Sequence, residues 1–166
     1  MSHRLLAAVA VAGFLAASAP AALAQDEPMA RHDATPAMHD VSAADLAWDD
    51  VEVAGFLPGM KIALIHGDPS VPDEQYTARF AFPDGYKFPP HWHPRAENLT
   101  VLEGTFLLAM GKKFDDSKLK SYVPGDYLFI VGENPHYGLV KGRTVVQAHG
   151  IGPFDILVVE GQGLSP

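Results

Sequence analysis

The chain contains no cysteine. That absence rules out a disulfide framework, thiolate ligation of a metal and a cysteine nucleophile, so stability has to come from an apolar core or from a bound ion. Basic residues are also scarce, with 12 Lys and Arg against 20 Asp and Glu and a formal net charge of −8. They form no cluster, which excludes a nucleic-acid partner, whose phosphates need grouped cations. Beyond the first apolar run no hydrophobic segment has membrane length, and no long stretch carries the period of an amphipathic helix.

Residues 1–24 read as a secretory signal peptide. Arg4 supplies the positive start, residues 5–17 the apolar stretch, and Ala22-Leu23-Ala24 a small-x-small cleavage site before Gln25. The apolar stretch is too short and too alanine-rich for a spanning helix. Export to the periplasm or the medium is therefore expected, with no membrane span after the signal is removed. Residues 25–45 mix acids, Pro, Ala and polar residues without periodicity and read as a flexible tether. Met29, His32, Met38 and His39 are ligand types that copper accepts, set in what otherwise reads as a spacer.

Residues 46–163 form one domain of ordinary size, large enough to bury a core. Short apolar runs follow one another at 61–66, 76–82, 99–103, 106–110, 119–123, 127–131, 137–140, 144–149 and 154–160. Turn clusters separate them, among them Gly67-Asp68-Pro69, Pro83-Asp84-Gly85 and Lys141-Gly142-Arg143. Many short strands punctuated in this way predict an all-β sandwich or barrel.

Between Gly85 and Gly104 the chain reads GYKFPPHWHPRAENLTVLEG. In a strand His91 and His93, two apart, point the same way and can offer two imidazoles to one ion. Pro94 cannot donate to a sheet ladder and ends the extended run, so the chain can bend and bring Glu97 back as a third ligand. Imidazole with carboxylate suits iron, manganese, copper, nickel or zinc better than calcium or magnesium. A lone His-x-His is often just a pair of surface strand residues; the glutamate and the flanking glycines at fixed spacing turn this one toward metal binding.

The spacing of Gly85, His91, His93, Glu97 and Gly104 resembles the first motif of the cupin family, position for position. A second motif is visible in residues 123–140, where Pro124-Gly125-Asp126 is a turn signal, 127–131 is apolar and His136 opens the next strand. The resemblance implies that His136 is the fourth ligand of one divalent transition metal. It also implies a jelly-roll barrel, the double-stranded β-helix, with a small-molecule ligand or substrate in its interior, and a possible homodimer through sheet edges. Three positions depart from the family pattern: Val131 for the usual proline, Glu133 for the usual glycine and Val140 for a common asparagine. They bear on turn geometry more than on ligation. Stretches such as KIALIHGDPS and VVQAHGIGPF resemble short exported single-domain cupins, a group mostly without assigned activity; the cupin-like domain of certain anti-sigma zinc proteins is more distant, and this chain has no helical sigma-binding domain.

The resemblance implies a menu of metal-dependent chemistry, of which a dioxygenase-like oxidoreductase acting on a small oxygenated molecule is the first expectation. The alternative is a binding or sensing module with a structural metal. Glu97 either stays a ligand or serves as a catalytic base toward a bound substrate. Arg79 is an anchor for an anionic substrate or an ordinary exposed charge; Gln147 and His149 share one face of a late strand, with His149 a supporting partner, a proton shuttle or a strand-end residue. His66 reads as structural, and Trp92 and Tyr137 as packing or dimer-contact aromatics.

Overall fold

The structure, a computed structural model, describes residues 38–164. The signal-peptide segment and most of the tether, with Met29 and His32, lie outside the described residues. The chain divides into Met1–His39 and Asp40–Pro166, and the strands of the described residues all belong to the second unit. That unit opens with a single 3-10 turn, Ala43–Asp45, capped by the Ser42 side chain. Among the described residues no helix is long and apolar enough to cross a membrane.

Nine strands come after this turn: β1 (Asp49–Asp50), β2 (Lys61–His66), β3 (Gln75–Phe82), β4 (Lys87–Trp92), β5 (Glu97–Met110), β6 (Lys120–Tyr122), β7 (Tyr127–Ile130), β8 (His136–Ile151) and β9 (Leu157–Val158). All pairings are antiparallel. The N-terminal half of β8 pairs with β4 and its C-terminal half with β3, while β5 runs along its other edge. In the same way β5 gives its first residues to β7 and its later ones to β6. Two layers result. One runs β1-β2-β3-β8-β5-β7 and the other β9-β4-β8-β5-β6, with β5 and β8 passing from one to the other.

Two strands are longer than the sequence suggested. Residues 99–103 and 106–110 are one strand, as are 137–140 and 144–149, because the polar, glycine-containing segments between them bend the chain without reversing it. The ladder shifts there: Glu103 pairs with Val145 and Thr105 with Lys141, so β8 bulges around Gly142. Gly104 has φ 75°, and a Cβ on it would lie 2.3 Å from the Arg143 carbonyl oxygen. This is the corner where both strands change layer, a known use of bulges in sandwiches. At the other end, the expected run 154–160 forms a strand only at Leu157–Val158.

The core lies between the layers. Ala78, Phe80 and Phe82 of β3 face it together with Leu99, Val101, Phe106 and Leu108 of β5 and Val140, Val146 and Ala148 of β8. Arg79 takes the opposite face of β3, where its Nε donates to Gln147 Oε1 at 3.1 Å across the ladder. It is a paired residue of the outer surface and does not reach the interior. His149 stands two residues further along β8 on the same face, opposite Thr77 and Asn98. Tyr137 is buried, packs on Phe114 with ring centroids 4.8 Å apart and donates to the Asp115 carbonyl.

Candidate metal centre

Pro89 and Pro90, both fully buried, sit in the middle of β4. Neither can donate to a ladder, and the register slips between Phe88, opposite Gly138, and His91, opposite His136. Three steps along β4 thus match two along β8. Phe88 and His91 would face opposite sides of a regular strand, and the bulge turns both inward, where they line one cavity. The strand then ends at Trp92, and His93 comes next as the chain bends at Pro94. Glu97 opens β5 and His136 opens β8, so three chain segments converge.

The ligand nitrogens of His91, His93 and His136 lie within 4.8 Å of one another, and all three residues are buried, a group that could hold one metal ion. Each Nδ1 already has a backbone partner: His91 meets the Pro89 carbonyl at 2.8 Å, His93 that of Asp155 at 2.8 Å, and His136 that of Asn134 at 3.0 Å. Carbonyls only accept, so each Nδ1 carries the proton and each Nε2 lone pair is left pointing at the others. Glu97 joins them. Its Oε1 lies 3.2 Å from His136 Nε2 and 3.4 Å from His93 Nε2, is buried, and has no hydrogen-bond donor in that tautomer. Four electron pairs turned toward one point, out of water, call for a cation between them. The donor set fits a transition metal, and the carbonyls supply the outer support that ligating histidines require.

The turn before His136 shows what the departures from the family pattern do. Glu133 adopts φ 62°, a conformation that disfavours side chains by about 1–2 kcal/mol, and its N–H donates to the His93 carbonyl at 2.8 Å. The turn is therefore tied to a site residue despite the missing glycine. Val131 is exposed and Val140 lies in the core, so neither touches the site.

Sequence reasoning did not single out the aromatic rings around the imidazoles. Phe154 stacks on His93 with centroids 4.3 Å apart and planes 16° from parallel, and Phe56 meets His91 edge-on at 5.0 Å. Phe56 lies in a segment with no local pattern, and Phe154 stands at the start of a run expected to be a strand, so its place against His93 is set by the fold alone. The carbonyl partners of His91 and His136 lie two residues upstream in each case, a local signal that could have been found. The cavity is about 50 Å³ and its remaining wall is apolar: Phe56, Phe80, Phe82, Phe88, Phe106 and Phe154, with Met60, Leu99, Leu108, Val146 and Ile156. Since about 10–15 Å³ suffices for one water, that space takes an ion and a few waters.

Neither a family model nor a curated protein sequence matches the chain. Solved structures do. The polyketide cyclase RemF from Streptomyces resistomycificus aligns with a TM-score of 0.61 at 23% identity, covering 77% of this chain and 87% of its own. An RmlC-like cupin from Shewanella frigidimarina gives 0.51 at 15% identity, over 75% and 94% of the two chains. The fold is that of the cupins. The DMSP lyase DddQ from Ruegeria pomeroyi shares this cupin architecture at a TM-score of 0.55 and 19% identity, over 72% of this chain and 64% of its own.

Burial sets the protonation of the site without metal. It holds the His91 imidazole well below its usual value, helped by the neighbouring His136 and His93, and it lowers His93 against the opposing pull of Glu97. Burial pushes Glu97 up, but a hydrogen bond from His136 and the charges of His93 and His136, which act once those rings carry a proton on Nε2, outweigh it and bring the carboxyl below its ordinary value. The unfolded chain therefore binds more protons than the folded one below the ordinary histidine value of 6.5. Stability of the metal-free protein is full above that pH and is lost as pH falls through it, with Glu97 adding to the loss below 4.5. His91 and His93 both steepen the loss of stability in that window. Melting of the chelated protein between about pH 8 and pH 5 checks this; a flat profile would show that the imidazoles are not held neutral.

Proposed function

We propose that this protein is an exported, metal-dependent cupin enzyme in which His91, His93, His136 and Glu97 hold one divalent transition metal against an apolar small molecule carrying oxygen. The observation that carries the reading is Glu97 Oε1, buried without a hydrogen-bond donor and facing the imidazole lone pairs at the end of a phenylalanine-lined cavity. A metal there supplies Lewis acidity and, if redox-active, access to dioxygen.

The chain's own residues define the rest. The six phenylalanines exclude water and offer flat faces to an apolar body once the cavity widens, and the wall has no Arg, Lys, Ser or Thr to recognise an anion or a sugar. Substrate orientation then depends on oxygen atoms directed at the metal centre. Glu97 is placed to accept a proton from such an oxygen, since its carboxyl stays ionised at neutral pH. Phe56, Met60, Phe154 and Ile156 belong to non-strand segments, and a substrate larger than a few atoms enters when these segments move aside.

Oxygen uptake by protein loaded with iron, manganese or copper, against catechols, flavonols and enediols, tests the oxidoreductase reading. Consumption coupled to substrate loss is expected. Turnover without oxygen would move the reading to Lewis-acid chemistry, the kind suggested by the names of RemF, a cyclase, and DddQ, a lyase. The small cavity favours a second reading, a binding module whose metal is structural. Bound metal without turnover under either condition would support it. In both readings an ion at a hundred times its dissociation constant stabilises the fold by about 2.7 kcal/mol, so chelation should lower the melting temperature by several degrees.

A further inference from the structure

Tyr76 is 2% exposed, and its hydroxyl is buried with no hydrogen-bond partner. Among the described residues only one other buried side-chain atom is in this state, Glu97 Oε1. The ladder puts the two residues in one row: Tyr76 of β3 is directly opposite Gly150 of β8, and Gly150 is directly opposite Glu97 of β5. Residues opposite one another in an antiparallel sheet project from the same face. The middle position has no side chain. A Cβ on Gly150 would lie 3.3 Å from both Cε1 and Oη of Tyr76 and 3.1 Å from the Ala96 carbonyl, so the far end of the phenol ring occupies the place a side chain would take, on the way to Glu97. Phe154, which stacks on His93, packs against the same tyrosine ring at 5.5 Å.

We propose that Tyr76 is a positioning residue for the metal centre, its hydroxyl donating across Gly150 to the Glu97 carboxylate when an ion takes Oε1. The chemistry of the two orphans is complementary. An ionised carboxylate has acceptor capacity on both oxygens and no donor, and a phenol has one proton to give. Burial first, and the charge of Glu97 second, raise the Tyr76 phenol above its ordinary value, so it keeps that proton. A buried hydroxyl without a partner is a cost to the metal-free protein, and the hydrogen bond formed on loading removes it. Supporting partners of this kind orient a ligand and commonly change metal affinity by about 10–100-fold.

This inference rests on the metal centre proposed above, and cobalt(II) separates the two. Wild-type protein and Tyr76→Phe are titrated with cobalt(II), and the visible spectrum and dissociation constant are recorded beside the melting temperature of each metal-free protein. Phenylalanine keeps the ring and removes only the hydroxyl, so the metal-free variant should melt no lower than wild type. Its cobalt affinity should fall about tenfold or more, with a shifted ligand-field spectrum. In wild-type protein, zinc loading should also produce a slowly exchanging hydroxyl proton resonance that the variant lacks. Equal affinity and equal spectra in the two proteins would overturn the role of Tyr76 and leave the metal centre standing. A wild-type protein that binds no cobalt would overturn both.

Discussion

Replacing His136 with alanine should abolish tight metal binding. His136 opens β8 directly opposite His91, the two rings with centroids 4.4 Å apart, and its Nε2 is the imidazole nitrogen nearest Glu97 Oε1 at 3.2 Å. Alanine there removes one of the three convergent nitrogens and keeps the strand. Loss of a supporting partner typically weakens a site about 10–100-fold, and loss of a ligand itself should exceed that range. His93→Ala should do the same and should also destabilise the fold, because Phe154 loses the ring it stacks on. Zinc titration of each variant is the check. One equivalent bound with native affinity would remove that histidine from the site.

Gly138→Ala should have the largest effect on stability. A Cβ at this position would lie 2.0 Å from the Leu107 carbonyl oxygen and 2.5 and 2.7 Å from two atoms of the Phe88 ring. The first contact is with backbone, so rotating a side chain cannot relieve it. The strands β5 and β8 would be forced apart close to His136, on the segment that also carries β4. A loss of about 4 kcal/mol or more is expected, a size reached only by a few mechanisms, of which overpacking a buried backbone contact is one. The midpoint of chemical denaturation measures it. A shift of less than about 0.5 kcal/mol, the range of an ordinary surface substitution, would show that the strands separate easily.

Both predictions depend on how the double layer is wound around the site, and the sequence revealed the two unequally. The spacing of His91, His93 and Glu97 was legible because the ligand-bearing segment is local: strand, proline bend, next strand. His136 was legible only through the resemblance of residues 123–140 to the second cupin motif; the turn signals ahead of it marked a strand start and no more. The bulge that turns His91 inward was not read, although its cause, Pro89-Pro90, stands in the sequence, because a bulge is defined by a partner strand whose register only the fold sets. The two long strands were divided at Gly104 and Gly142 for a similar reason. Glycine beside charged residues looks like a reversal, and only the pairing of Glu103 with Val145 and of Thr105 with Lys141 shows that the chain bends and continues. Strand alternation in residues 76–82 sets Ala78, Phe80 and Phe82 on one face and Arg79 on the other, and the structure has the first three in the core. Contacts over long sequence distances left no trace: Phe154 on His93, the Asp155 carbonyl on His93 Nδ1, and the row of Tyr76, Gly150 and Glu97.

The outward pairing of Arg79 with Gln147 bears on substrate class. With the arginine outside and phenylalanines within, the cavity offers no cation to an organic anion other than whatever the histidines and Glu97 hold. Affinity for an apolar substrate should therefore depend little on salt, because no exposed charge pair takes part in binding it.

The most direct test of the metal centre is elemental analysis of the wild-type protein isolated from its own compartment and never exposed to chelator. Close to one iron, manganese, copper, nickel or zinc per chain is expected, retained through dialysis and lost on substitution of His136. Protein that is correctly folded yet carries no transition metal, and takes none up when supplied, would contradict the central claim that His91, His93, His136 and Glu97 are a metal centre.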